Sequence, residues 1–323
     1  MDDELRACAL AAYGWPADIA VQAGPRGALG QVWRVDVGAD SFAVKEIFDE
    51  PPTDESISAE LEFVGRVTKA GVTVPASRPD RDGRYLVTAP GGRWLRCYDW
   101  VDMAPVDETS PRTALELGAL LARLHRNTCA AATETDGTPA DRWYDTVPIP
   151  AQFEPVAHVD SRLGSVLRDL PALCAAVTPA DPAQLIMCHR DLHPENVFTG
   201  PRGDLVVVDF DDMGPAVAGR ELARVVFDWC CDASTTDLDA VRAMFTTYVE
   251  EGGPGRIDCV ADFSMLLACR LNFLLNQARL AGDPQTEARH RDWAAHEVDV
   301  MLELMPSRDQ LVAVLAVADD CFR

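Results

Sequence analysis

The chain has 323 residues, of which 48% are hydrophobic and 25% are charged, and its formal net charge is −23. This composition is typical of a globular protein with a sizeable core, in one large domain or two lobes. The charge disfavours nucleic acid as a partner, because a nucleic-acid-binding surface needs a basic face. The acidic balance could attract cationic small molecules, although surface solvation alone also explains it.

The N-terminus and the cysteines favour a cytoplasmic location. Met1–Leu5 has neither a basic segment nor a following apolar run of the kind found in secretion signals, and no apolar run elsewhere approaches a membrane span. Ten cysteines are scattered without a C-x-x-C pair, which favours reduced thiols over a disulfide framework. We therefore expect a cytoplasmic protein without membrane contact.

A glycine-rich turn between two predicted strands is the first candidate binding element. A short helix is expected over residues 3–12, followed by strands over 18–23 and 31–37. The turn between these strands, G-P-R-G-A-L-G, contains Gly27 and Gly30. Glycines let a backbone approach a phosphate closely, so the turn could be a phosphate-binding flap; an ordinary hairpin loop is the equal alternative. A Rossmann site is excluded because no helix follows the turn.

Lys45 is the second candidate. It lies on a predicted strand over 40–48, where the side chains of Ala43, Lys45 and Ile47 share one face. A lysine among apolar neighbours needs an anionic partner, unless its ammonium simply reaches past them to solvent. The next segment, 54–70, spaces its apolar residues as a helix does and carries Glu60 beside the apolar stripe.

The remaining pattern predicts a change from strands to helices. Strands over 84–88 and 94–101 would complete a small antiparallel sheet of about five strands. From residue 110 the spacing becomes helical, a long loop is expected over 129–150, and one or two helices of unassigned role are expected over 152–177. Four further helices are predicted after residue 234.

The stretch from His189 to Asp212 carries most of the candidate chemistry: H-R-D-L-H-P-E-N-V-F-T-G-P-R-G-D-L-V-V-V-D-F-D-D. Its two apolar runs, separated by turn-forming residues, predict a β-hairpin. Asn196 starts the first strand and Asp209 follows the second, so the hairpin should bring them side by side. Two oxygen ligands so placed suit Mg²⁺, and Asp191 adds a third carboxylate nearby. The alternative is an acidic hairpin that binds nothing.

This pattern, H-x-D-x-x-x-x-N followed by a strand and D-F-D, resembles the catalytic loop and metal-binding Asp of the protein-kinase-like superfamily. Within it, the chain looks most like the aminoglycoside phosphotransferase family, whose relatives include choline kinases. The run F-A-V-K-E-I around Lys45 is similar to the V-A-I-K strand of kinases. The resemblance implies a two-lobed α+β fold, with an antiparallel-sheet nucleotide-binding lobe over 1–101 and a mostly helical catalytic lobe over 102–323.

The resemblance also implies how a nucleotide would be held. Lys45 would clamp the α- and β-phosphates of ATP or GTP, and Glu60, in preference to Glu62, would pair with Lys45 and orient it. The family binds the adenine edge through the backbone of a linker between the lobes. Asp99 and Val101 are predicted for that contact.

On the catalytic side, the resemblance implies that Asn196 and Asp209 bind Mg²⁺ and that Asp191 accepts or orients the proton of the attacking hydroxyl. His189 would fix the catalytic loop. Asp211 stays open between a further metal or substrate contact and a turn cap. His125, in an L-x-x-L-H motif, is interpreted as structural, with support of the catalytic loop as the alternative. Glu221 stands where the family usually has the Asp of D-L-A, so a supporting contact is expected to differ.

Two departures from protein kinases favour a small-molecule hydroxyl as acceptor. His193 stands two residues after Asp191, where protein kinases usually carry Lys, and only a short segment separates Asp209 from the next predicted helix at Arg220. An acidic cleft wall would suit a cationic acceptor, with these possible members: Asp211, Asp212, Glu195, Asp228 and Asp232. We expect an ATP- or GTP-dependent kinase of an aminoglycoside-type or other antibiotic. The alternatives are a metabolic kinase for choline, homoserine or a sugar, and a nucleotide-binding pseudokinase.

Overall fold

The structure is a computed structural model that describes residues 1–26, 30–48, 50–128, 143–144, 146–232 and 235–323. These residues form two compact units. The first comprises Met1–Pro105 and Asn196–Asp211, and the second comprises Val106–Glu195 and Asp212–Arg323. None of the described helices is long and apolar enough to cross a membrane.

Strands dominate the first unit and helices the second. The described strands are β1 (Ala20–Arg26), β2 (Gly30–Val37), β3 (Asp40–Ile47), β4 (Ser77–Arg78), β5 (Val87–Ala89), β6 (Arg93–Asp99), β7 (Ala104–Pro105), β8 (Leu185–Cys188), β9 (Val197–Thr199), β10 (Leu205–Val207) and β11 (Gly214–Val217). The described α-helices are α1 (Asp3–Tyr13), α2 (Asp54–Lys69), α3 (Pro111–Arg126), α4 (Leu163–Ala176), α5 (Ala218–Cys230), α6 (Leu238–Glu250), α7 (Ser264–Gly282), α8 (Ala288–Leu304) and α9 (Arg308–Cys321).

The first unit is built on an antiparallel sheet. Strands β1, β2, β3 and β6 pair in that order, and β4 and β5 both pair with β6. One face of the sheet packs against α1 through fully buried side chains, including Leu5, Val35, Val44 and Leu95. Because side chains alternate along a strand, Lys45 points to the face opposite Val44.

Helix α2 covers the following stretch of the first unit. Thr53 caps it by accepting a hydrogen bond from the Ser56 N–H, which satisfies one of the otherwise unpaired donors of the first turn. The helix buries Ile57, Phe63 and Val67 together with one charged residue, Glu60. The predicted helix over 54–70 is therefore confirmed, and the buried glutamate needs a partner.

The predicted hairpin is also present, as β9 and β10 in antiparallel register. It lies in the first unit, where β7 extends the pair to three strands. The Thr73 backbone carbonyl accepts a hydrogen bond of 3.0 Å from the Val207 N–H, which fixes the hairpin to the chain that follows α2. The hairpin was predictable because its two apolar runs are close in sequence and share a short loop.

The second unit packs helices around α5, which is buried on nearly every side. Strands β8 and β11 pair beside it, with Cys188 opposite Gly214. The four helices predicted after residue 234 are confirmed as α6 to α9, and the predicted α+β class with a helical C-terminal region is confirmed as well. Residues 129–142 of the predicted long loop lie outside the described residues. The short strands β4, β7, β8 and β11 were not predicted, since two to four residues are too few to show a period.

Candidate active site

Lys45 is held between two carboxylates in the first unit. Its Nζ lies 2.7 Å from Asp209 Oδ1 and 2.7 Å from Asp211 Oδ2. Burial alone would lower the pKa of Lys45, but the two carboxylates outweigh burial and raise that pKa above its usual range. Lys45 is therefore a fixed cation, and Asp211 is one of its partners.

The partner of Glu60 is Arg96 and not Lys45. Arg96 Nη1 and Nη2 donate to the two Glu60 oxygens at 2.6 and 2.9 Å, and Nη1 also lies 3.4 Å from Asp211 Oδ1. Lys45 and Arg96 are directly opposite each other in the β3–β6 register. The planar guanidinium matches a carboxylate with two parallel bonds, which an ammonium cannot do. The predicted Lys45–Glu60 pair is thus replaced by an Arg96–Glu60 pair and a separate Lys45 site.

Asn196 and Asp209 stand at the open ends of the hairpin strands, as predicted. The Val208 N–H donates to the Asn196 carbonyl at 3.0 Å, and Asp209 is the next residue. Asn196 is buried, whereas the Asp209 side chain is 39% exposed. Asp209 has a φ of 59°, in the left-handed region that few residues other than glycine adopt. Such a backbone directs the carboxylate in a way that ordinary strand geometry would not.

The glycine-rich turn is described only in part, because Gly27 lies outside the described residues. Gly30 begins β2, and a Cβ at this position would lie 2.6 Å from the Glu46 carbonyl oxygen and 3.8 Å from Lys45 Cε. A larger residue would therefore disturb the pairing with β3 and crowd Lys45. The packing alone therefore explains why position 30 is a glycine, whether or not the turn binds a phosphate.

Asp99 and Val101, the two residues predicted for the linker contact, differ in whether their backbone groups are already hydrogen-bonded. The Asp99 N–H donates to the Ala76 carbonyl at 2.9 Å, and its carboxylate binds Arg78 at 2.6 and 2.7 Å. Within the described residues, the backbone of Val101 has no hydrogen-bond partner. Val101 thus keeps the main-chain groups that an adenine edge would need, whereas the Asp99 N–H is already engaged.

Asp191 lies in the second unit and is held by Arg224 and His193. Arg224 Nη2 donates to Asp191 Oδ1 at 2.5 Å, and His193 Nε2 lies 3.3 Å from Oδ2. Burial alone would raise the pKa of Asp191, but Arg224 and then His193 more than reverse this and lower it below its usual range. The His193 pKa is raised, since its contact with Asp191 outweighs burial. Asp191 is therefore ionised throughout the neutral range.

The loop before Asp191 is fixed through the backbone of Arg190, whose φ is 67°. Its N–H donates to Glu221, its carbonyl accepts from Arg224, and its Nε donates to the Asp212 carbonyl at 2.6 Å. Its guanidinium lies over the Tyr144 ring, 4.3 Å from the centroid. These contacts together hold a conformation that would otherwise cost about 1–3 kcal/mol.

A fully buried polar network of Glu221, His125 and Tyr248 supports that loop. Glu221 Oε2 lies 2.6 Å from His125 Nε2, and His125 Nδ1 lies 2.7 Å from the Tyr248 hydroxyl. Burial would raise the pKa of Glu221, but the bonds from His125 and the Arg190 backbone lower it. Glu221, which stands where the family usually has Asp, contacts the loop with its longer side chain by accepting from the Arg190 N–H. His125 supports the loop that carries Asp191 through Glu221, which favours the alternative over the purely structural role predicted for it. His189, fully buried, accepts a hydrogen bond of 3.3 Å from the Asp191 N–H.

The proposed acidic wall needs one correction. Asp228 is only 13% exposed at its side chain and forms ion pairs with Arg224 at 3.3 Å and Arg270 at 2.8 Å. It is neutralised inside the second unit and offers little charge to an acceptor. Of the other wall residues, Glu195 is exposed and Asp211 is bound to Lys45 in the first unit.

Two functional candidates, Arg96 and Arg224, were missed in the sequence. Arg96 was detectable in principle, because two adjacent antiparallel strands carrying Lys45 and Arg96 can align them. Arg224 follows Glu221 by three residues on one helix, which puts both on a single face. Neither signal alone names the partner, since each partner lies far away along the chain.

Comparison with known proteins identifies the family. The model of the phosphotransferase enzyme family, abbreviated APH, matches residues 20–257, which is more than half of the chain. The chain belongs to the phosphotransferase enzyme family. This phosphotransferase is thus of the predicted family, and the predicted enzyme class is confirmed. None of the curated proteins compared with it matches.

Solved structures show the same fold at low identity. An amicoumacin kinase in complex with AMP-PNP, Ca²⁺ and Ami is 16% identical, with a TM-score of 0.60 over 95% of both chains. A microcompartment-associated aminopropanol kinase is 18% identical, with a TM-score of 0.60 over 93% of this chain and 95% of that one. A macrolide 2′-phosphotransferase from Brachybacterium faecium is 17% identical, with a TM-score of 0.55 over 95% of this chain and 99% of that one. These likenesses establish the kinase-like fold of this phosphotransferase.

Proposed function

We propose that this phosphotransferase transfers the γ-phosphoryl group of ATP or GTP to a hydroxyl of a small molecule, with an antibiotic of aminoglycoside or related type as the first candidate acceptor. The observation that carries this proposal is Asp191, a half-buried carboxylate kept ionised by Arg224 on a loop of unusual backbone conformation. The first unit supplies the other charged groups of the candidate site, which are Lys45 and the carboxylates of Asp209 and Asp211.

Residues 1–101 are proposed as the nucleotide-binding lobe. Lys45 is a permanent cation suited to the α- and β-phosphates, and Val101 offers main-chain groups for the adenine edge. Arg96 takes the place of Lys45 as the partner of Glu60. Glu60 therefore fixes the position of Arg96 beside Lys45, and its effect on the nucleotide passes through Arg96.

The donor set at the end of the hairpin fits Mg²⁺. Asn196 and Asp209 offer an amide and a carboxylate oxygen, and Asp211 adds a second carboxylate. Hard oxygen donors without sulfur or imidazole are what this ion selects. Bound there, the metal would neutralise charge on the phosphates, as it does in phosphoryl transfer generally. Lys45, which already contacts both carboxylates, limits their mutual repulsion.

Residues 102–323 are proposed as the catalytic and acceptor lobe. Asp191 would accept a hydrogen bond from the acceptor hydroxyl and orient its oxygen for attack. Phosphoryl transfer needs positioning more than a strong base, so an ionised carboxylate of low basicity is adequate. His189 and Glu221 support the loop from the buried side.

The acceptor class divides into two candidates. The net charge of −23 favours a cationic acceptor, which suits an aminoglycoside. The internal pairing of Asp228 with two arginines weakens the case for a polycation and favours a smaller amino alcohol or sugar. Structural relatives named for an antibiotic and for aminopropanol support both candidates equally at 16% and 18% identity.

The test is a coupled nucleotide-turnover assay with Mg²⁺ and either ATP or GTP. The panel contains aminoglycosides, macrolides, basic peptide antibiotics, choline, ethanolamine, homoserine and simple sugars. Turnover with one antibiotic class, and a product heavier by one phosphate, supports the first candidate. Turnover only with a metabolite supports the second.

Two variants test the assigned roles. Asp191→Asn should abolish turnover and leave Mg²⁺–nucleotide affinity nearly unchanged. Asp209→Asn should weaken that affinity. Binding of nucleotide without turnover on any acceptor would favour the pseudokinase alternative, and full activity of Asp191→Asn would refute the catalytic assignment.

A further inference from the structure

Arg224 holds the loop that carries Asp191 through two of its nitrogens. Three of its nitrogens donate to three different acceptors. Nη1 donates to the Arg190 carbonyl, Nη2 donates to Asp191 Oδ1 at 2.5 Å, and Nε donates to Asp228 Oδ2 at 3.3 Å. Arg224 is only 8% exposed, so these contacts are largely shielded from water. A planar guanidinium bonded on three sides has little freedom to rotate.

Arg224 is itself held in place by Asp228, which in turn is bound by Arg270. Asp228 Oδ1 accepts a hydrogen bond of 2.8 Å from Arg270 on α7, and Arg270 also donates to the Leu304 carbonyl at the end of α8. Arg270 is 5% exposed. The result is an alternating series of charges, Arg270, Asp228, Arg224 and Asp191, with two cations and two anions. Each buried charge therefore has a neighbour of opposite sign, which buried charges require.

We propose that Arg224 is a positioning residue for phosphoryl transfer, which orients the Asp191 carboxylate toward the acceptor hydroxyl. This inference rests on the proposed function, in which Asp191 contacts that hydroxyl. Arg224 occupies Oδ1 and fixes the preceding carbonyl, so both the side chain and the backbone of the loop are set by one group. His193 reaches the other oxygen at 3.3 Å, a longer contact than that from Arg224.

The pairing also determines how the proton moves. Asp191 beside a guanidinium is a weak base, so it orients the hydroxyl in the ground state and accepts the proton only as transfer proceeds. The acceptor oxygen forms its bond to the γ-phosphorus, the bond from that phosphorus to the bridging oxygen breaks, and the nucleoside diphosphate leaves. The hydroxyl proton passes to the Asp191 carboxylate and then to solvent. A loose transition state requires little proton transfer before bond formation.

The experiment compares Arg224→Met and Arg224→Lys with Arg220→Met as the control. Arg220 lies four residues earlier on α5, is also 8% exposed, and donates to the carbonyls of Thr178 and Pro179 and to the Thr178 hydroxyl, all outside the catalytic loop. The probes are MgATP hydrolysis with water as acceptor and the acceptor that gives turnover in the panel above. We expect Arg224→Met to lower kcat about 10- to 100-fold with little change in KM for MgATP. Arg224→Lys should recover part of the loss, and Arg220→Met should keep kcat near that of the parent.

A second measurement does not depend on turnover. Carbon-13 NMR of aspartate carboxyls follows the titration of Asp191, whose signal is assigned by its absence in Asp191→Asn. In Arg224→Met the titration should move to higher pH by at least about one unit, because burial then acts without the cation. In Arg220→Met it should stay in place.

The outcomes separate the two proposals. Absence of turnover on every acceptor would overturn the proposed function, whereas full kcat in Asp191→Asn would refute the catalytic assignment of Asp191 on which this inference rests. Loss of kcat in Asp191→Asn, with Arg224→Met unchanged in both kcat and the Asp191 titration, would overturn the positioning role alone. If Arg224→Met does not fold, Asp228→Asn serves in its place. This change weakens the contact that Asp228 makes with the Arg224 guanidinium, and it keeps the volume of the side chain at position 228. That variant should lower kcat about 3- to 10-fold, and an unchanged kcat there would again overturn the inference.

Discussion

The Arg96–Glu60 pair allows a quantitative prediction about burial. Arg96 is 1% exposed and Glu60 8% exposed at their side chains, and two bonds of 2.6 and 2.9 Å join them. Arg96→Met removes the cation that contacts both Glu60 and Asp211, and it leaves Glu60 inside the first unit without its guanidinium partner. Breaking one side of a buried pair costs about 3–5 kcal/mol, because the remaining charge has lost water and partner together.

The first unit contains a matched control. Arg78 and Asp99 form the same bidentate arrangement at 2.6 and 2.7 Å, yet their side chains are 51% and 34% exposed. Arg78→Met should therefore cost no more than about 1 kcal/mol, since solvent screens the remaining carboxylate. The double variant Arg96→Met with Glu60→Leu should recover most of the loss, because no unpaired charge then stays buried.

The assay is urea unfolding followed by both tryptophan fluorescence and circular dichroism, with the free energy of unfolding compared across the variants. The reasoning requires Arg96→Met to lose several times more free energy than Arg78→Met. Equal losses from the two single variants would refute it, because hydrogen-bond geometry would then matter and burial would not. A double variant as unstable as Arg96→Met would show that lost packing, and not the unpaired carboxylate, explains the cost.

Three further predictions follow from other contacts. Lys45→Met should weaken MgATP binding about ten-fold or more, which calorimetry measures. MgCl₂ alone should raise the melting temperature of this variant more than that of the parent in a thermal-shift assay, since Asp209 and Asp211 have then lost the lysine that contacts both of them. The pKa of Asp191 is lowered in the fold, so its stabilising contribution is full above the unfolded pKa of about 3.9 and is lost as pH falls further; acid titration should therefore destabilise the parent more steeply than Asp191→Asn below about pH 4. His125→Ala should cost about 2–4 kcal/mol in urea unfolding, because Glu221 and the Tyr248 hydroxyl each lose a buried partner; a loss under about 1 kcal/mol would contradict the network.

The parts of the fold that could be predicted are those set by local pattern. The hairpin from Asn196 to Asp209 was predicted because its strands and loop are continuous in sequence. Helix α2 was predicted from the period of its apolar residues and begins at its Thr53 cap. Strand β4 was not predicted, since its two residues are defined only by their pairing with β6.

The parts of the site that could not be predicted depend on register between distant segments. Glu60 was assigned to Lys45 through the family resemblance, but the β3–β6 register puts Arg96 opposite Lys45, and Arg96 binds Glu60 instead. A shift of one residue in that pairing would turn Arg96 to the other face of the sheet. Arg224 likewise meets Asp191 only through the packing of α5 against the loop, which no local period encodes.

Two residues of the described chain other than glycine have a positive φ, and both belong to the candidate site. Asp209 is one of the proposed metal ligands, and Arg190 immediately precedes Asp191. Each conformation costs about 1–3 kcal/mol and persists only where surrounding contacts fix it. Asp209 is bound by Lys45, and Arg190 is held at its N–H by Glu221 and at its carbonyl by Arg224. The strain in each unit is thus offset by a charged side chain that the proposed chemistry also uses. Removing Lys45 or Arg224 should therefore relax the backbone at the site as well as remove a charge. At position 224 this is a second reason to expect Arg224→Lys to retain more activity than Arg224→Met.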